Sequence, residues 1–563
     1  MTLADPNLLD SNLLDSNLLD SDLPDAKSLS LLDVTLALTI EGTAHAIPCS
    51  QVKRIALDLQ SWGFSAEVEF YTSPHRGEDA LFTPFCTAGL IEVTLTLENA
   101  RESVDPVAVS GIVTHKELSE QTGGASLSGQ PIMHRRYSIR FADPAQVLWG
   151  QHYPAELHVD TTLKAVIDAQ KGAKITTTYD WAAEMDAERP LIFLPLGAPA
   201  NAASFYDFVA WYVDRCQGVM SYDSQTGGYT FSATKDATGT AVGLSATQVA
   251  AVRLEFPQTK RASAVVLNSS IDIAAKTDAV ANANEVAGVR SDILLRAPTQ
   301  AEVDARAVLE AKRLEARGHE VVVDFALFPT TSILPGRLVD FPTTTFGAEV
   351  HTASETYRIR TLRIRAQSDD PKPSAEDTAS RPFQAKVQLR LELKDEAWVA
   401  LPAFQAPRWP GLVEGLIVSE QGEEADETWQ KYTDSDTSLD RYKVEVPLYK
   451  GSAEAFVYAP FDPNGLPGHL FFPAYKGAKV LLAFELFSVT IARFLDWRAG
   501  AQLPVDGQGN HILVGKTLTS KTSLSHDYVE ASPVFQVSRL NDKDTQLIEF
   551  KDGTITIRTK EED

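Results

Sequence analysis

Residue types that can do chemistry are plentiful in this 563-residue chain, but their spacing assembles none of the sets that catalysis needs. His319-Glu320 opens the pattern in which two histidines one helical turn apart hold zinc and the glutamate activates water. Val321-Val322-Val323 follows, and no second histidine stands at the required offset. Gly124-Ala125-Ser126-Leu127-Ser128-Gly129 approaches the Gly-x-Ser-x-Gly turn that lifts a nucleophilic serine off a sheet, but its spacing is broken and it reads as a polar surface loop. No glycine-rich loop ends in the Gly-Lys-Ser/Thr that cradles phosphate. Cys49, Cys86 and Cys216 are an odd number at wide spacing without Cys-x-x-Cys, so they read as buried thiols rather than a zinc or redox pair. The eleven histidines, His469 and His511 among them, are scattered singly and suit packing better than ligation. With 76 Asp and Glu, neighbouring carboxylates arise by chance and single out no acid pair. The expectation is a non-enzymatic chain with no catalytic, metal or cofactor site. One basic feature remains, Arg358, Arg360, Arg363 and Arg365 on a strand from Tyr357 to Arg365. It is either a stripe for an acidic partner or a solvated strand face, and the second reading is preferred.

Charge narrows the partners. Lys and Arg total 51 against 76 acids, a net −25 that repels a phosphate backbone or an anionic bilayer, so nucleic-acid binding is disfavoured. The excess is uneven: residues 1–25 hold six Asp and no base, and residues 414–440 hold nine acids against Lys431, so the two segments carry −14 of the −25. At 44% hydrophobic and 23% charged residues the chain can bury sizeable cores, and its length suggests about three to five domains. Neither a basic-then-apolar leader at Met1 nor an apolar run near the ~20 residues that span a bilayer occurs. Folding in the cytoplasm is expected, with any export by another route.

The elements that must position these residues are mostly strands. Asn-Leu-Leu-Asp-Ser repeats from Asn7, Asn12 and Asn17, a period of five that fits neither helix nor strand and reads as a flexible or partner-ordered acidic arm. Val34–Ile40, Ala66–Tyr71 and Ile91–Leu97 alternate apolar and polar residues between turn signals, as in an antiparallel barrel or sandwich. An α/β stretch follows. Val159–Ala169 reads as a helix after Asp160-Thr161-Thr162, and a second helix starts at Ser204 and ends at Gly218, with Phe205, Phe208, Val209 and Tyr212 on one stripe. A Gly227-Gly228 hairpin comes next. Strands resume around a helix from Thr299 to Gly318, whose stripe is Val303, Ala307, Ala311 and Leu314, and the arginine strand slips phase at Thr361-Leu362, which signals a bulge. Pro402–Pro410 is a proline-rich connector, after which short strands recur at a spacing that suits a five-stranded barrel. The tail alternates at Leu547-Ile548-Glu549-Phe550 and Thr554-Ile555-Thr556-Ile557. Two such strands cannot bury both faces alone, and the simplest partner is the same segment of another copy.

Taken in order, these pieces resemble the VgrG family, the hub-and-spike proteins of type VI secretion, extracellular contractile injection systems and contractile phage tails. Tyr137-Ser138-Ile139-Arg140-Phe141 leading to Leu148-Trp149 is similar to the family's strand into "P-x-L-W-x-L", and Ser204 to Val219 to its "S-D-x-x-F-L-x-R-L-x-E-x-x-G-I" helix. Ala305–Arg317 followed by Leu334-Pro335-Gly336 resembles its helix and "L-x-P-G" strand. Gly411–Gly415 through Arg441–Val444, and Pro473 to Phe484, resemble the needle-base OB-fold. Departures are Asp440 for the family's usual glycine, and Leu486 to Ile491 without its "G-D-P-D-x-P" turn. The sequence stops at Asp563, which suggests a needle reduced to a stub without a fused effector domain.

The resemblance implies a mainly β multidomain homotrimer: an acidic repeat arm (1–30), a first hub β-barrel (31–145), an α/β insert (146–240), a second hub barrel (241–402), an OB-fold needle base (403–500) and a short triple-stranded β stem (501–563). It implies a structural hub at the base of a contractile machine, assembled in the cytoplasm and sent outward on contraction, with the target membrane met only on puncture. The partners it implies are an Hcp-like inner tube, baseplate wedge proteins, a PAAR-like tip and effector cargo. The residues expected to matter are structural: Phe205, Phe208, Val209 and Tyr212 for hub packing, Arg441–Val446 and Lys479–Phe484 for the OB barrel, and Ile548, Phe550, Ile555 and Ile557 for the trimer stem. The competing readings are a spike-borne cell-wall hydrolase, which would need an acid pair in an inserted α-rich domain, and an exported β-module adhesin, which would need a secretion signal.

Overall fold

The computed structural model describes residues 29–561 apart from 73–78, 102–104, 126–130, 237, 271–276, 298, 348–350, 374–377, 419–429, 436–439, 448–454, 461–473, 475, 498–508, 518 and 530–531. Most of the expected acidic arm and much of the 414–440 acidic segment lie outside the described residues. The chain is mainly β and carries several sheets. It divides into two compact units, one of residues up to 153 with 167–185 and 203–407, the other of 154–166, 186–202 and 408 onward.

The first unit is organised by a 13-stranded sheet whose central strands close on themselves. Leu29–Ile40, Ile91–Asn99, Val107–Ala125, Pro131–Ala142, Gly63–Thr72, Val52–Gln60, Thr356–Ser368 and Ser380–Leu393 pair in that order, all antiparallel, and the last pairs back to the first. Alternation explains the ring: Leu32, Val34, Leu36, Leu38 and Ile40 all point to one face and are buried. The 356–368 and 380–393 strands are long enough to serve twice. Their other ends take Leu338–Asp340 and Glu320–Phe325 as neighbours, so strands of 31–145 and of 241–402 belong to one hydrogen-bonded sheet.

The arginine strand is neither an open stripe nor a solvated face. Its register slips between Ile359 and Thr361, slightly before the expected place, and the extra residue is Arg360. The slip keeps Tyr357 and Ile359 on the same buried face as Leu362, Ile364 and Ala366. Arg358, Arg360 and Arg365 are buried and paired. Arg360 donates both its Nη atoms to Glu320, at 2.7 and 3.0 Å, while Arg365 Nη2 and Arg363 Nε donate to the two oxygens of Asp58 at 2.8 and 2.9 Å. Arg358 lies 3.5 Å from Glu392 and donates to the Asp236 carbonyl. Removing one member of such a buried pair leaves an uncompensated charge, so the arginines hold strands together.

Two helices differ from the sequence reading at their ends. Ala155–Thr162 is strand, and the helix after it begins at Leu163, with Thr162 Oγ1 accepting from the Ala165 amide. Helix Gln300–Leu314 stops short of Gly318, and Ala311 is exposed. Val303, Ala307 and Leu314 pack on a three-stranded sheet of Ser263–Asn268, Thr277–Val280 and Arg290–Leu295. Gly318 lies close to Leu393 instead: a Cβ there would be 2.4 Å from Leu393 Cδ1, so that side chain would have to shift.

In the second unit, Gly411–Ile417 pairs with Asp440–Val446 on one side and Ala478–Phe484 on the other. Asp440–Val446 continues to Ala455–Pro460, and Ala478–Phe484 to Val489–Trp497. The core inside is Tyr442, Val444, Val446, Val457, Val480, Leu482, Phe484 and Ile491, and it is shared by Leu157, Leu191 and Phe193 of the paired strands Ala155–Thr162 and Glu188–Pro195. Phe193 and Phe484 meet at 4.7 Å between ring centroids.

Candidate functional site

The 204–215 segment shows how the expected hub residues are placed. Ser204 Oγ accepts from the Asp207 amide while the Asp207 carboxylate accepts from the Ser204 amide, a capping box that starts helix Phe205–Arg215. Phe205, Phe208, Val209 and Tyr212 are all buried within their own unit. Phe205 meets Trp149 edge-on at 5.3 Å, and Tyr212 donates to Glu184 Oε2 at 2.7 Å. After the helix Gln217 takes the left-handed conformation, φ 52°, and Gly218 gives room to the Trp181 ring, which a Cβ would meet at 2.3 Å. These side chains are core and are not available to a partner.

Titratable groups in the first unit are held by similar packing. Burial and the neighbouring His351 push His319 below its usual value, and its ring nitrogen Nε2 lies 2.9 Å from the Tyr357 hydroxyl, itself pushed up to about 12 by burial. Burial also lowers Lys235 although Glu392 accepts from it at 2.7 Å. Among the described residues no three His, Cys, Asp or Glu side chains stand close enough to hold a metal ion, and no helix is long and apolar enough to cross a membrane.

The tail is built differently. Gly509–Thr517, Ser520–Val529, Ser532–Asn541, Asp544–Lys551 and Thr554–Lys560 form a five-stranded antiparallel meander, each strand pairing with the next. Asp552 and Gly553 both take positive φ, 49° and 75°, as a two-residue hairpin requires, which is why Asp-Gly stands there. Register then aligns side chains across the sheet. Ile512, Leu524, Val537, Ile548 and Ile557 form one row; His526, Phe535, Phe550 and Ile555 form the next on the same face. Phe535 and Phe550 rings lie 5.8 Å apart. The opposite face carries Ser523, Ser538, Gln536, Glu549, Thr556 and Arg558 with Leu547 among them, joined by Ser523–Ser538 and Gln536–Glu549 hydrogen bonds. All four expected stem residues therefore share one face, and it is open: Ile548 is 39%, Phe550 42%, Ile555 65% and Ile557 73% exposed.

Sequence reasoning found that face at its last two strands but missed a second outward-facing group on the paired strands Asp440–Val446 and Ala455–Pro460. Arg441 and Lys443 alternate there with buried Tyr442 and Val444, and Phe456 and Tyr458 with buried Val457. The signal was the alternation itself, read only for its inward half.

This order of a closed ring, a second sheet and an open tail meander has the fold seen in solved VgrG complexes. A chain of the lidless PdpA–VgrG complex superposes with a TM-score of 0.68 at 11% identity, covering 95% of this chain and 99% of that one. In the half-lidded Francisella PdpA–VgrG complex the values are 0.69 and 11%, over 99% of this chain and 92% of that one. The E. coli c3393 protein, described as a type VI secretion component similar to T4 tail proteins gp27 and gp5, aligns at a TM-score of 0.47 and 13% identity over 81% of this chain and 99% of that one. At these identities the likeness establishes the fold. Neither a protein-family model nor a curated protein sequence matches the chain.

Proposed function

We propose that the chain is a structural, non-catalytic hub-and-spike subunit at the base of a contractile injection machine, and that it works as a homotrimer closed through its tail. The observation that carries this is the open apolar face of the five-stranded meander. Shielding an Ile or Phe side chain from water contributes about 1.5–3 kcal/mol, so the exposed residues of this face forgo an amount comparable with the whole net stability of a domain, about 5–15 kcal/mol. A contiguous apolar patch on a surface marks an interaction site. A spike bears axial load, and a stem in which the apolar faces of three copies meet would resist it without exposing that surface.

The pairing of 411–417 with 440–446 and 478–484, extended by 455–460 and 489–497, suits the five-stranded OB-type barrel of a needle base. By fold likeness, the neighbours of such a hub would be an Hcp-like tube ring, baseplate wedge proteins and a PAAR-like tip, with effector cargo carried outward from a cytoplasmic assembly. The test is to isolate contractile particles from the native host and quantify this chain. Three copies per baseplate, lost together with the tube when the chain is deleted, are expected. Intact particles lacking the chain would overturn the proposal.

A further inference from the structure

We propose that His319 and His351 form a two-histidine site for a divalent transition-metal ion of the zinc class. The inference goes beyond the spike reading and does not depend on it.

His319-Glu320 begins a zinc pattern whose second histidine is missing from the next helical turn. The fold brings one from elsewhere in the first unit. His319 stands immediately before strand Glu320–Phe325, and His351 opens the short 3-10 turn His351–Ser354 that leads into strand Thr356–Ser368. Both strands pair with Ser380–Leu393, where Val321 and Ile359 flank Leu391, so one sheet carries the two histidines. Their ring centroids lie 5.1 Å apart with the planes at 52°. Two imidazoles that ligate one tetrahedral ion through bonds of about 2.0–2.1 Å have ring centres roughly 5.2 Å apart. The spacing is that of a ligand pair.

The surroundings suit a cation. His319 Nε2 lies 2.9 Å from the hydroxyl of buried Tyr357, and an N–H donated there fixes the ring and leaves the Nδ1 lone pair for a metal. Burial and His351 hold His319 below its usual value, so at neutral pH the ring is uncharged, the form that ligates. Glu355 is exposed four residues after His351 and acts electrostatically on His319, adding negative charge near the pair. Imidazole donors select zinc, copper or nickel over magnesium and calcium, which take oxygen ligands. Among the described residues no third such side chain is close enough to complete the set, so water fills the remaining positions. Glu320, which would activate water in the sequence pattern, accepts instead from Arg317, Arg360 and Arg390. The ion therefore clips the 351–354 turn to the start of the 320–325 strand and does no catalysis.

The test titrates zinc chloride calorimetrically into the full chain, stripped of metal by chelation and carrying no histidine tag. Zinc should bind, and an excess of magnesium chloride should not displace it. His319→Gln and His351→Gln should each weaken binding about tenfold or more, since loss of even an outer-shell partner costs a ligand set that much. His115→Gln, which removes an exposed histidine from strand Val107–Ala125, should leave affinity unchanged. His351 is exposed, so its variant probes the site without opening the core, and circular dichroism of all three variants separates unfolding from a lost ligand. The inference is overturned if no zinc binds, if a folded His351→Gln binds as tightly as the parent, if His115→Gln loses as much, or if magnesium displaces the zinc.

Discussion

The eight-stranded ring of the first unit and the five-stranded tail meander are both antiparallel sheets of alternating sequence, yet they finish differently. In the ring the 380–393 strand returns to the 29–40 strand, so each strand has a partner on both sides and the apolar face turns inward. In the meander the 509–517 and 554–560 strands each pair on one side only among the described residues, and the apolar face is exposed. Alternation alone therefore specifies that a sheet has an apolar face. Whether the chain buries that face itself depends on whether its strands can close.

The contrast can be tested by perturbing each side. The largest effect within a single chain is expected in the ring. Phe141→Ala removes a buried ring and should cost about 3–5 kcal/mol, read as a lower denaturation midpoint that does not depend on protein concentration. Arg360→Met should cost about 3 kcal/mol, because Glu320 loses its two-pronged partner inside the sheet, and adding Glu320→Leu should recover part of the loss in a double-mutant cycle. Ser204→Ala breaks the capping box and should cost about 1 kcal/mol by the same assay. The smallest effect is a pH slope. His319 is held below 6.5 in the folded chain, so below that pH the unfolded chain takes up the proton more readily and stability is lost as pH falls. Thermal midpoints at pH 7.5 and 5.5 should show this fall, and His319→Gln should reduce it.

What was legible in the sequence follows the same division. Local signals read well. The Ser204 cap, the Phe205–Tyr212 stripe and the Gly227-Gly228 hairpin are dictated by neighbours a few residues apart, and the structure has each of them. Closure of the ring was not legible, because the 356–368 strand completes it against the 52–60 strand some 300 residues earlier, and no local pattern encodes that pairing. The arginine strand was misread for this reason. Four arginines in ten residues look like a surface until Asp58, Glu320 and Glu392 are brought beside them. In the tail the alternation at Ile548, Phe550, Ile555 and Ile557 showed one apolar face, but its width became visible only when register aligned Ile512, Leu524, Val537 and Phe535 with it.

The central claim is that this open face is buried between three copies of the chain. The mass of the full chain in solution, measured by light scattering on a sizing column before and after the paired change Ile548→Asp and Phe550→Asp, tests it directly. The account predicts three copies for the parent and one for the variant, with the thermal transition of the ring unchanged. A parent that is monomeric at all concentrations, or a variant that stays trimeric, would contradict it.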